Sequence, residues 1–163
     1  MNYYPKEDLG CGYFAPVASE AVHDTFMPII RQHPRVVGID MHVCNLMDHF
    51  RDDKPSGYGM AECYLVGPKE GQNTMLFVYG GKDKVVPVTV ETNFFQGDMS
   101  LAALSIAVQI LWYNQLCWKA NDEGKDKLAR WANDCYYALK DVMYLKELGL
   151  SGKDQAAVTG FLD

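Results

Sequence analysis

The stretch Asn93-Phe-Phe-Gln-Gly97-Asp-Met-Ser100-Leu-Ala-Ala-Leu-Ser105-Ile-Ala-Val-Gln109-Ile-Leu-Trp112-Tyr-Asn114-Gln115-Leu-Cys-Trp118 decides the fold. Its first half reads as the exit of a strand through a glycine turn at Gly97. Its second half reads as a long helix, which Ser100 or Asp98 can start by accepting a hydrogen bond from an orphan backbone N–H. Over residues 101–116 apolar side chains fall on nearly every face. Only Ser105 and Gln109, four apart and so neighbours, and the Asn114-Gln115 pair interrupt them. A helix apolar all round is a buried one, so other elements must pack around it. The run is too interrupted, and too soon followed by Lys119, for a membrane span.

The flanking sequence supplies the covering. After the turn Asn121-Asp-Glu-Gly124, residues 125–148 place Leu128, Trp131, Cys135, Ala138, Val142 and Leu145 at steps of three and four, a seam for a neighbouring helix. Gly149 suits its stop. Residues 152–162 predict a last short helix that tucks Val158, Phe161 and Leu162 onto the core. Upstream, three strand-like runs at 58–66, 74–79 and 85–92 are separated by turn-forming segments at 67–73 and 80–84, the pattern of an antiparallel meander. Pro87 lacks an N–H and belongs at an edge or bulge.

Before the strands, Val36, Ile39, Val43, Leu46, Met47 and Phe50 mark an amphipathic helix over 36–50, with Asp40 and Asp48 outward. The turn Arg51-Asp-Asp-Lys-Pro-Ser-Gly57 ends it. Pro16 suits the first turn of a helix, with Val17, Ala21 and Val22 a weak stripe. Pro28 and Pro34 predict a bend. Residues 1–14, with Pro5, Gly10 and Gly12 among aromatics, predict an irregular arm. The expectation is an α+β fold: a small three-stranded antiparallel sheet, a meander, packed with four or more helices around a buried central helix. With 163 residues, one domain is expected.

Composition narrows function. Apolar residues at 48% and charged residues at 22% suit a soluble globular protein. The net charge of −6 argues against unaided binding to nucleic acid or anionic membrane. No basic start followed by an apolar run marks a secretory signal. The five cysteines (Cys11, Cys44, Cys63, Cys117, Cys135) are scattered and form no C-x-x-C pair, which suits reduced thiols in the cytoplasm.

Motifs that carry chemistry are few. Phosphate-loop, dinucleotide, nucleophile-elbow and H-E-x-x-H patterns are absent. Gly80-Gly81-Lys82 is better explained as a hairpin turn than as a phosphate cradle. His42 and His49 share a helix face with Asn45 between them, yet seven residues separate them by roughly 10 Å along the axis. Zinc ligands on one helix sit three or four residues apart, so a metal-dependent hydrolase using His42, Asp48 and His49 would need further groups. Mimicry of DNA needs dense, nearly unopposed acids. Here 21 Asp and Glu are interleaved with 15 Lys and Arg. The one local excess spans Asp40, Asp48, Asp52 and Asp53, and reads as a solvated helix face with its following turn.

The arrangement around the central helix resembles the ArdB/KlcA antirestriction family. The resemblance rests on Asn93-x-Phe95-x-Gly97-x-Met99-Ser100, followed by Ala103, Ile106, Leu111 and Asn114-Gln115-Leu116. Phe26-Met27-Pro28, Gly38, Tyr137-Ala-Leu139-Lys-Asp141 and Phe161-Leu-Asp163 add to it. The chain departs from the family pattern at Gly57-Tyr58-Gly59, where a tryptophan is missing, and in its longer 67–73 turn. The resemblance implies a compact α+β domain that protects incoming mobile-element DNA from host type I restriction enzymes in the cytoplasm. It also implies a non-enzymatic inhibitor without cofactor, whose partner is the restriction machinery or an associated protein, and which needs no direct contact with nucleic acid.

The motif residues have two readings, recognition surface or scaffold, and scaffold is the better. Gly97 would supply a turn. Ser100 would cap the helix, a contribution of about 1 kcal/mol. Asn114 would satisfy loop backbone. The contact surface is then expected at Asp48, Asp52 and Asp53 after the second helix, and at Asp141 on the long C-terminal one.

Overall fold

In the computed structural model, which describes residues 2–3, 13–53, 57–69, 71–80 and 83–163, the elements follow one another as β1 (Asn2–Tyr3), β2 (Tyr13–Val17), α1 (Val22–Gln32), α2 (Ile39–Phe50), β3 (Glu62–Lys69), β4 (Gln72–Val78), β5 (Val85–Val90), β6 (Phe95–Ser100), α3 (Leu101–Asp122), α4 (Asp126–Val142) and α5 (Gly152–Leu162). Every residue of 101–110 in α3 is buried. By length and composition this helix could cross a membrane, but 67% of its most apolar window is buried within the protein. Helices α2, α4 and α5 and strands β4 and β6 pack on it. The α+β architecture around a buried central helix is therefore observed.

The expected three-stranded antiparallel sheet is present as β2-β3-β4, with the two-residue β1 beside β2. That leaves the outer edge of β4 to be satisfied, because an unpaired edge strand exposes N–H and C=O groups at every second residue. The helix α3 does this with side chains. Phe77 N–H donates to Gln109 Oε1 at 2.9 Å, and Gln109 Nε2 donates back to Phe77 C=O at 2.5 Å. One step along, Tyr79 N–H donates to Ser105 Oγ at 3.2 Å, while that hydroxyl donates to Ala102 C=O at 2.7 Å. The Thr74 and Tyr113 hydroxyls bond to each other at the far end.

The spacing is geometric. Four helical residues rise about 6 Å, close to the roughly 6.6–6.8 Å of two strand residues. Ser105 and Gln109 therefore descend the strand in step, and the longer Tyr113 side chain reaches Thr74 three residues further on, the helix running antiparallel to the strand. Among the described residues no buried side-chain N or O atom lacks a partner.

This explains where the meander reading differs. The run 85–92 cannot join the sheet, because the edge it would need is taken by α3. Instead β5 pairs with β6 in a separate two-stranded sheet, from Val85↔Ser100 to Val90↔Phe95. Strands β4 and β5 thus belong to different sheets and do not pair as a hairpin; Gly81 and Lys82, read as its turn, lie outside the described residues. Gly97 is mid-strand opposite Val88, and the chain reverses at Glu91–Asn93 and Phe94. Phe94 adopts φ +56°, the left-handed region, at a cost of about 1–3 kcal/mol for a bulky residue.

The other free place in the sheet is filled from the N-terminus. Tyr13 and Phe14, expected in an irregular arm, begin β2, and Phe14 stacks on Tyr64 with ring centroids 5.0 Å apart. Pro16 is strand, not helix, paired with Tyr64. Among the described residues β1 pairs with Tyr13 and Phe14 alone, so Pro16 has a strand partner on its β3 side only. Residues 4–12 lie outside the described residues.

The helices follow their periodicity with shifted ends. Gly38, at φ +76°, admits the chain into α2 through a conformation that a Cβ disfavours. Ile39, Val43 and Met47 face inward, and Asp40 and Asp48 outward. Pro28 lies inside α1 on its exposed side, where the Asp24 carbonyl it leaves unpaired can turn to water. The fourth helix stops at Val142, and Leu145 and Leu148 are buried in the turns beyond. Val158 and Phe161 of α5 are buried, as their pattern implies.

Replacing Gln109 by Leu keeps the volume but orphans the Phe77 N–H and C=O. We expect a loss of about 2–4 kcal/mol in urea unfolding. An unchanged midpoint would show that the side chain does not carry the edge.

Candidate functional site

Where α2 ends, the backbone turns beside β5: Asp52 N–H donates to Pro87 C=O at 2.9 Å and Arg51 bridges to Val88. The turn buries Arg51, whose guanidinium forks onto Asp53, Nε to Oδ1 at 2.8 Å and Nη2 to Oδ2 at 2.7 Å. Its third branch donates to the Tyr58 hydroxyl at 3.1 Å, and that hydroxyl in turn donates to Asp48. Asp52 accepts from the Thr89 hydroxyl at 2.7 Å. The structure thus brings Asp48, Asp52 and Asp53 together and gives each an internal partner. Asp141, half-buried in the last turn of α4, belongs to a different element.

The electrostatics follow from those contacts. The Arg51 fork holds the Asp53 carboxyl below the usual carboxylate range. Burial, with the Asp48 hydrogen bond, pushes the Tyr58 phenol up to about 12, so this network stays a carboxylate–guanidinium–phenol chain at neutral pH. Spacing alone could not find it, since Arg51 and Tyr58 are anchors only once the loop folds back.

One part of the motif sits where β6 passes into α3. Ser100 caps α3, its Oγ accepting from Ala103 N–H at 3.1 Å. Asp154 reaches across from the first turn of α5 and accepts both the Ser100 N–H (3.0 Å) and the Ser100 hydroxyl (2.7 Å). Its own N–H is capped by Ser151 at 3.1 Å. One carboxylate therefore sits at the positive ends of two helices. Asp154 was the residue the sequence reading missed, although Ser151-x-x-Asp154 is a capping-box pattern.

Asn93 Nδ2 donates to Phe161 C=O at 2.7 Å, tying the hairpin turn to the end of α5. Phe95 lies against Gly160, where a Cβ would approach its ring to 2.9 Å. Met99 is buried. Asn114 is half-buried within α3, about two turns before its end, and Gln115 is exposed; Asn114 is not placed at a loop.

Groups with catalytic potential are dispersed. His42 and His49 are both exposed; His42 faces Trp112 at 6.4 Å and His49 meets Phe50 edge-on at 4.9 Å. Among the described residues no three of His, Cys, Asp or Glu are grouped to hold a metal ion. Burial pushes the Cys63 thiol up to about 11 and raises Cys44 and Cys135 as well, the opposite of an activated nucleophile. Cys11 lies outside the described residues. An open concavity of about 1010 Å³ is lined by His33, Arg35, Lys125, Lys127, Arg130 and Trp131, with Asp126 and Asp134 between them. There His33 stacks on Trp131 at 3.7 Å, and Arg35 is paired with Glu123.

These features define an α+β scaffold whose ionisable side chains fasten its elements to one another. A solved structure of the KlcA and ArdB proteins, described as showing a novel fold and antirestriction activity against Type I DNA restriction systems in vivo but not in vitro, has the same fold. It aligns over 93% of this chain and 94% of its own, with a TM-score of 0.62 at 19% identity. No protein-family model and no curated protein matches the sequence.

Two outcomes test the site. Asp154→Ala leaves the buried Ser100 N–H and hydroxyl without their acceptor, and should cost about 2–4 kcal/mol in urea unfolding; Asp154→Asn should cost less. For Asp53 the folded value is depressed, so its stabilisation is full above the unfolded range near pH 4 and fades as pH falls through the folded value. At 37% exposure, solvent screening limits it to about 1 kcal/mol or less. The deficit of Asp53→Asn should be full at about pH 6 and shrink below about pH 4; a deficit equal at both would contradict the pairing.

Proposed function

We propose that this protein is an antirestriction protein: a non-enzymatic inhibitor that protects incoming DNA of mobile elements from host type I restriction enzymes in the cytoplasm. The observation that carries the reading is the fold match, which runs over nearly the whole of both chains. It converges with the order of motif residues from Asn93 to Gln115, read from the sequence independently. The partner is the restriction machinery or a host protein associated with it. Activity in vivo but not in vitro, as described for the KlcA and ArdB proteins, supports a route through a cellular component.

Direct imitation of DNA is less favoured, since Asp53 is paired with Arg51 and Asp48, Asp52 and Asp154 are hydrogen-bonded within the fold. Hydrolysis with His42, Asp48 and His49 is likewise disfavoured, as Asp48 accepts from Tyr58 and the two rings contact different aromatics.

The test is plating of unmodified phage on cells with and without an active type I system, the protein being expressed in both. Expression should raise plating only where the system is active, and the double variant His42→Gln, His49→Gln should protect as well as the parent. Equal plating with and without the protein would overturn the reading; loss of protection in a folded double variant would revive the metal alternative.

A further inference from the structure

The least economical residue in the molecule is Phe94. Its side chain is 95% exposed, and its backbone holds φ +56°, ψ +25°, where Asn or Gly is the ordinary choice. It is the single non-glycine residue at positive φ among the described residues. The surroundings fix it there. Phe94 N–H donates to Glu91 C=O, Asn93 is tied to Phe161, and Phe95 next door is wedged against Gly160. A large aromatic is thus presented to water from a rigid turn, in a conformation the rest of the fold has to enforce. Aromatic anchors on rigid supports dominate the energetics of protein interfaces, and backbone strain gathers at binding positions.

The charge around the tip selects the partner. Residues 89–98 and 158–163, which form the turn end of the hairpin and the end of α5 tied to it, contain Glu91, Asp98 and Asp163 and no Lys or Arg; Lys84 and Lys153 lie at the other end of the two elements. Glu91, Asp98 and Asp163 are exposed. Asp52, also exposed, is held on the flank of the hairpin through Thr89. Glu91 and Asp163 thus flank an apolar knob, with Asp52 and Asp98 further down the hairpin.

We infer that the β5–β6 turn is a docking knob, with Phe94 entering an apolar pocket on a protein partner whose rim carries Lys and Arg. Opposite charge at the rim speeds encounter and fixes orientation, while the aromatic sets the lifetime of the complex. This names a surface for the partner in the proposed antirestriction role, and its plating test rests on that reading.

The variant Phe94→Asn removes the knob and suits the left-handed backbone. It should fold with a melting temperature equal to the parent's or about 2–4 °C higher, and should lose protection in the plating assay. Phe94→Trp should retain it. Glu91→Lys with Asp98→Lys should weaken protection, whereas Asp126→Lys at the start of α4 should not. Full protection by a folded Phe94→Asn variant overturns the inference. If the parent itself gives no protection, the antirestriction reading fails and the knob is tested alone, by a photo-crosslinking residue at position 94 in living cells with the same residue at exposed Tyr137 as control. A discrete adduct to another protein at 94 only, lost on the Glu91→Lys, Asp98→Lys background, supports the knob. No adduct, or an adduct between two copies of this chain, overturns it.

Discussion

The outer edge of β4 is the constraint on which the rest of the structure depends. A sheet strand with no neighbour must find partners for its outward N–H and C=O groups or leave them in water. Here a nearly all-apolar helix lies along that edge and satisfies it with Gln109 and Ser105. The same polar atoms that look like flaws in the hydrophobic run are what let α3 lie against a strand edge without orphaned groups. Further consequences follow. With the edge occupied, β5 has to pair elsewhere, and the sheet grows instead on its other side, through β2.

The displaced β5 pairs with β6, which leads straight into α3 through Ser100. That short passage is where the two-stranded sheet and two helix N-termini meet, and Asp154 supplies the negative charge the helix ends favour. Met99 and Ser100 serve this joint by packing and hydrogen bonds, and Asn93 and Phe95 hold the turn end of the hairpin to the end of α5. Charge is used in the same way at the end of α2, where the buried Arg51 is neutralised by Asp53. Several acids that seem available in the sequence are thus committed to the scaffold, while Glu91, Asp98 and Asp163 near the hairpin stay exposed.

Much of this was legible beforehand, for identifiable reasons. The buried α3, the amphipathic faces of α2 and α4 and the final α5 each follow from apolar periodicity, which reports which faces are inside. The Ser100 cap is visible as a hydroxyl before an apolar run. Periodicity does not report which strand pairs with which, so 85–90 reads as a third meander strand although its partner is β6. The strand at Tyr13–Val17 was obscured by Pro16, which reads as the start of a helix. Gly97 drew the turn away from Phe94, since a phenylalanine at positive φ contradicts local preference. The Arg51–Tyr58–Asp48 chain needed the loop's return path, which no spacing rule encodes.

At the outer edge of β4, side chains of α3 take the place of a neighbouring strand. Native-state amide hydrogen exchange at Phe77 and Tyr79 tests it most directly. If Gln109 and Ser105 bind these amides as described, both should exchange only through global unfolding, as slowly as the interior amides of α3. Exchange at the rate of an open strand edge, orders of magnitude faster than that core, would contradict it.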